Sequence, residues 1–282
     1  MRIPVPEMDA RFNSTEDAIE HTIRICNVIV NKAKQVYSST SVSDIPGYAL
    51  EFCRKILIQV SSLVNVSRER KDYSTVCTLV RMLADNVATI NLVYCQTDDE
   101  ERIIRHLLYV LDGITDRYKL LEAREVQYNG TIPIDVFEAL KAQVDGAREN
   151  AKGCIEYCQK TLRRSPHYAH FPREMEFLIQ RKNWKFKDLA APNKSYTWKE
   201  MYEMLEIKTG NEMFSYLSQY VHGLSVSNIV LNDEDDFDAP LSFAFCLLYK
   251  VFDFLRKVYE PHLGDYTWED IRGMAPELFA KR

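Results

Sequence analysis

The sequence predicts an all-α protein, an antiparallel bundle of long helices with a packed C-terminal helical layer. Apolar residues recur at steps of three and four along most of the chain, the spacing that lines one face of an α-helix. Only 9 glycines and 10 prolines occur in 282 residues, so the intervals between helix breakers are long. Short turns join these intervals, the sequence picture of an up-and-down bundle.

The first helix is expected to start at the Asn13, Ser14, Thr15 cluster and to carry Ile19, Ile23, Cys26, Val30 and Ala33 on its apolar seam. Serines from Ser38 to Ser43 should end it, because their hydroxyls compete for backbone partners. A second helix follows Pro46 and Gly47 and reaches about Arg68. The third spans Tyr73 to Gln96 with a seam of Val76, Val80, Leu83, Val87, Ile90 and Tyr94. Its only charged side chains are Arg81 and Asp85, so it should be buried nearly all round.

A fourth helix begins at Asp98, where acidic residues suit the positive end of the helix dipole. Residues Gln127 to Ile132 form a turn, and Pro133 opens a charge-rich fifth helix that runs to about Arg164 and faces mostly water. Residues 1–165 then read as an N-terminal long-helix bundle, and 166–282 as a C-terminal layer packed on it.

Between Ser165 and Lys194 three prolines, with interspersed aromatic and basic residues, leave room for one short helix near Arg173 to Arg181. Two similar helix starts follow, Tyr196-Thr197-Trp198-Lys199-Glu200 and Tyr266-Thr267-Trp268-Glu269-Asp270. Each sets a Thr three residues before an acid, a capping box, and their unmatched flanks read as convergent capping. The acidic run Asp233, Glu234, Asp235, Asp236, Asp238 lacks the glycine and distal Glu of a calcium loop, and its last acid should cap the helix entered at Pro240. That helix offers Phe243, Phe245, Leu247, Leu248, Val251, Phe252 and Leu255 to the core.

With 36 basic and 41 acidic side chains, overall charge argues neither for a dedicated nucleic-acid binder nor for a basic membrane-surface protein, and leaves a local basic patch open. No run of about 18 apolar residues points to a membrane span, and nothing behind Met1 resembles a secretion signal. Seven cysteines without paired spacings read as reduced thiols, which suits a cytoplasmic setting. Cys154 and Cys158 share a helical face but have no nearby His or second cluster to complete a zinc set, so no metal is expected. Phosphate-loop, zinc-protease and serine-hydrolase motifs are absent, and no cofactor is expected.

Two polar sets remain. Arg81 and Asp85, four apart, share a helix face and form either a structural ion pair or the floor of a site. From Met213 to Asn232 there is no charged side chain. Wound as a helix, that segment sets Phe214, Leu217, Val221 and Leu224 on one face and Ser215, Ser218, His222 and Ser225 on the next, with Gly223 allowing close approach. A histidine beside serines is either a satisfied buried group or a proton carrier.

These residues resemble a family of uncharacterised bacterial all-helical proteins, a domain of unknown function. The likeness rests on an Arg-x-x-x-acid step in an apolar helix and, far downstream, on Tyr-x-x-Leu-Ser-x-x-x-His, whose tyrosine here stands directly before the leucine. Here these stand as Arg81 and Asp85, where the family's acid is usually Glu, and as Tyr216, Leu217, Ser218 and His222 in YLSQYVHG. The resemblance spans roughly residues 45 to 260 and implies that Arg81, Asp85, Tyr216, Ser218 and His222 converge; it implies no reaction. A more distant likeness is to HEPN-type helical bundles, several of which are ribonucleases with an Arg-x(4 to 6)-His motif. Arg163 or Arg164 with His170 fits that spacing but brackets Pro166, and Arg81 with His222 could supply an analogous pair.

The expectation is an enclosed polar pocket in which Arg81 holds an anionic or nucleotide-like ligand, Asp85 orients it, and Tyr216, Ser218 and His222 complete the hydrogen bonds. The alternatives are a HEPN-like ribonuclease in phage defence, with RNA as partner and Arg81 and His222 as catalytic candidates, and a purely structural or partner-binding bundle. Self-association is left open.

Overall fold

The computed structural model describes residues 12–95, 98–123, 127–208, 210–222 and 237–262. Among them it is all-α, with ten α-helices, no strand and one isolated antiparallel bridge between Phe186 and Ser195. The chain divides into two compact units, Met1–Leu92 with Trp198–Arg282, and Val93–Thr197. This differs from the consecutive blocks 1–165 and 166–282. The last described α-helix returns to pair with the first two helices, while the fourth and fifth pair with each other.

The first unit contains α1 (Thr15–Val36), α2 (Ile45–Asn65) and nearly all of α3 (Tyr73–Tyr94), joined by α8 (Trp198–Glu203), α9 (Gly210–Val221) and α10 (Asp238–Tyr259). Ser14 caps α1 by accepting from the amide of Asp17 at 3.2 Å. Asp44 caps α2 through the amide of Gly47 at 3.1 Å. Gly47 is required there, because a Cβ would sit 2.5 Å from Asp44 Oδ2 and closer still to the carbonyl of Ser39. A π-helical turn, Val66–Arg70, extends α2 and closes on Lys71 in the left-handed region.

The whole expected seam of α1, from Ile19 to Ala33, is buried, as is that of α10, from Phe243 to Leu255. Helix α10 packs along α1 and α2, and the hydroxyl of Tyr259 donates to the carbonyl of Pro46 at 2.6 Å. Asp238 is not the cap of α10 but its first helical residue, and Phe237 at the cap position makes no side-chain bond to the helix.

Helix α3 corrects one expectation. Its seam is buried from Val76 to Tyr94, yet Ser74, Thr78 and Met82 form an exposed stripe. Uncharged hydroxyls can face water as well as charges can, so few charges did not mean burial all round. Although α3 is long and apolar enough to span a membrane, 61% of its most apolar window is buried within the protein. The Thr267 helix start, Gly223, Leu224, Ser225 and the acids at 233–236 lie outside the described residues.

The second unit contains α4 (Asp99–Glu122), α5 (Ile134–Arg163), α6 (Pro166–His170) and α7 (Pro172–Arg181). Asp98 caps α4 through the amides of Glu100 and Glu101. On α5 only Ala151, Cys158 and Leu162 are buried, in keeping with its charge-rich sequence. Helix α7 packs on α5 and α6, and the segment after it folds back on itself through the Phe186–Ser195 bridge.

Candidate functional site

Arg81 and Asp85 lie one turn apart on α3, and both partners outside α3 come from the same unit. Arg81 Nη1 donates to Asp85 Oδ1, and Arg81 Nε donates to the hydroxyl of Ser218 on α9 at 3.1 Å. Ser218 passes its own proton to the carbonyl of Phe214 at 2.8 Å, so its oxygen is turned to receive the arginine. Tyr202 of α8 donates its hydroxyl to Asp85 Oδ1, while its ring lies beside the guanidinium with 5.1 Å from Cζ to the centroid. That ring stacks on Phe214 at 3.6 Å between centroids, and Phe214 meets Phe243 of α10 edge-on. Burial, and then the hydrogen bond to the Asp85 carboxylate, push the Tyr202 phenol well above its usual range, so it remains a donor.

The arginine is thus held by a carboxylate, a hydroxyl and an aromatic ring. Its side chain is 14% exposed and that of Asp85 35%. The bonds of the pair run through Nε and Nη1 of Arg81 and Oδ1 of Asp85, and the guanidinium also reaches the Tyr202 side chain by a hydrogen bond. No family model, curated protein or solved structure matches the chain.

Tyr216 stands in a second, adjoining array. Its hydroxyl is 2.7 Å from that of Tyr73 on α3 and 2.9 Å from that of Tyr220, which makes a row of three phenols. Burial and the bond to Tyr216 hold the Tyr73 phenol protonated far above the ordinary range. His222 lies in the turn after α9, where its amide donates to the carbonyl of Ser218, and its residue is exposed. Val221 is 45% exposed, so the apolar face of α9 ends at Leu217. The structure therefore joins Arg81, Asp85 and Ser218 directly, links Tyr216 to α3 through Tyr73, and puts His222 one helical turn beyond Ser218 on open surface.

Sequence reading missed Tyr202. It lies five residues past Thr197 in a segment read only for its cap, and nothing local marks it as the partner of Asp85. A cavity of about 290 Å³ beside it is lined by Tyr202, Glu203, Ile207, Gly210, Asn211 and Glu212. Two carboxylates make that cavity a poor seat for an anion. Of the other sequence candidates for an Arg–His pair, Arg163 forms a two-point bond with Glu176, and His170 is the last residue of α6.

Proposed function

We propose that the first unit is a small-ligand binding module whose recognition centre is Arg81 with Asp85, supported by Ser218, Tyr202 and Tyr216. The observation that carries this reading is the make-up of the pair: a largely buried guanidinium fixed on three sides stands beside a carboxylate that is bonded through Oδ1 and is 35% exposed. A ligand suited to both groups has an anionic oxygen for the guanidinium and a hydroxyl or amine proton for the carboxylate, as a nucleotide-like molecule has on its phosphate and sugar. Preorganisation by the Tyr202 ring and Ser218 lowers the ordering cost of binding. His222, one turn from Ser218, is the residue that a moving ligand edge or a proton transfer would engage. The free thiols support a reducing, cytoplasmic setting for this chemistry.

The test is isothermal titration of a nucleotide and sugar-phosphate panel against wild type, Arg81→Met, Asp85→Leu and the double variant. Loss of binding in each single variant and in the double, with the fold intact by circular dichroism, supports the module. Unchanged binding in the double variant assigns the pair to structure alone. RNA turnover that vanishes in His222→Ala would replace binding by the HEPN-like nuclease reading, with His222 moving the proton and Arg81 stabilising the phosphorane charge.

A further inference from the structure

The second unit holds a site of different character. After α7 the chain reads Arg181-Lys182-Asn183-Trp184-Lys185-Phe186-Lys187, and the following loop returns to Ser195. A cavity of about 340 Å³ is lined by Arg181, Lys182 and Lys185, by Asn183, Asn193 and Ser195, by Phe177 and Trp184, and by one acid, Asp112. That acid is already engaged: Trp184 Nε1 donates to its Oδ2 at 3.3 Å and Lys182 Nζ is 3.9 Å from its Oδ1. Arg181 has no carboxylate partner among the described residues and instead lies over the Phe177 ring, 5.9 Å from its centroid.

The loop is braced from behind. Buried Arg105 donates to the carbonyl of Trp184 at 3.0 Å and lies 4.0 Å over the Phe186 ring. Asn183 Nδ2 donates to the carbonyl of Pro192 at 2.9 Å, Ser195 Oγ donates to Asn183 Oδ1 at 3.0 Å, and the amide of Tyr196 donates to the carbonyl of Lys185 at 2.7 Å. Cations at a helix C-terminus are ordinarily explained by the dipole, and that accounts for Arg181 and Lys182. It does not account for Lys185, four residues beyond the helix, or for a concave wall that keeps three cations around one neutralised acid.

We propose that this cavity binds a nucleoside phosphate, free or as part of a single-stranded nucleic acid, with Arg181, Lys182 and Lys185 around the phosphate and the exposed Phe177 face receiving the base. The volume lies near the lower end of the ~300–1,000 Å³ of small-ligand pockets, which suits one nucleotide and not a large cofactor. Base stacking on an aromatic and phosphate pairing to Arg and Lys form the usual recognition set for unstacked nucleotides. This site is independent of the Arg81 centre.

The test uses the full chain and a fluorescein-labelled oligouridylate, read by anisotropy at two salt concentrations, with AMP and inorganic phosphate as competitors. The proposal expects saturable binding that AMP displaces and that Arg181→Gln with Lys185→Gln weakens at least tenfold. If the strand is the ligand, the salt dependence falls by about one per cation removed; if the mononucleotide is, AMP binds in titration with similar dependence on both residues. Arg181 is exposed and Lys185 half-buried, and an unchanged thermal midpoint certifies the fold. Arg81→Met with Asp85→Leu must leave this binding intact. Absence of binding by the strand and by AMP, retention in the double glutamine variant, or displacement by phosphate as effective as by AMP overturns the assignment.

Discussion

Arg105 is the side chain whose removal can be reasoned most closely from surroundings. Its side chain is 2% exposed, whereas that of its partner Glu101 is 30% exposed. Glu101 Oε1 accepts from Nε at 2.8 Å and from Nη2 at 2.5 Å, and Nη1 is spent on Trp184. Glu101→Leu leaves a guanidinium buried without its counter-charge, a change that typically costs about 3–5 kcal/mol. Arg105→Met leaves a carboxylate that can turn to water and one carbonyl unpaired, which costs about 1–3 kcal/mol. The helix-dipole share of Glu101, about 0.3–1 kcal/mol, is too small to account for that gap. The expected order is therefore Glu101→Leu worse than Arg105→Met, with the double variant better than the sum of both. Urea unfolding followed by tryptophan fluorescence gives the free energies, and hydrogen exchange at residues 184–196 assigns the loss to the second unit. An Arg105→Met variant as costly as Glu101→Leu, or strict additivity, would refute the view that the buried partner dominates.

Gly47→Ala should lower stability by about 1–3 kcal/mol, since the methyl meets backbone at Ser39 and the capping carboxylate of Asp44; a thermal midpoint within experimental scatter of wild type would contradict this. Tyr73, Tyr202 and Tyr259 all have phenols raised from 10.0 by burial first. Because the folded state holds these protons more tightly, stability should be full below about pH 10 and fall above it as the unfolded phenols ionise. Ultraviolet titration should then show these tyrosines ionising only together with unfolding. A hydrogen bond from Cys158 lowers the Cys154 thiol while Cys158 itself is raised, so Cys154 should alkylate faster than Cys158 and slow in Cys158→Ala; equal rates at the two positions would remove that coupling.

What was legible in the sequence was what repeats. The seams of α1, α3 and α10 recur every three or four residues and each is buried, and the starts of α1 and α4 are marked by the polar cluster at Ser14 and the acids from Asp98. The division into units was not legible, because it depends on α10 returning to α1 across more than two hundred residues. The same reason hid Tyr202, which meets Asp85 over a separation of 117 residues. Arg81 and Asp85 stood out because their helix was otherwise uncharged, but Arg105 did not, because it sits among the exposed charges that open α4. Local contrast, and not burial itself, decides which buried charge a sequence reveals.

The two arginine–acid pairs also bear on each other. Both have spacing of four, but Glu101 precedes Arg105, the order that a helix dipole favours, whereas Arg81 precedes Asp85, the weaker order. Arg105 spends all three nitrogens on protein acceptors and covers its face with Phe186, as a purely architectural arginine should. Arg81 is 14% exposed, bonds Asp85 across its own helix, and is held by a tyrosine and a serine delivered from two short helices. If stability alone had shaped the second pair, the reverse order would serve it better, and an apolar pair would serve about as well. The contrast within one chain is the physical reason to read Arg81 as a group kept available for something else to bind.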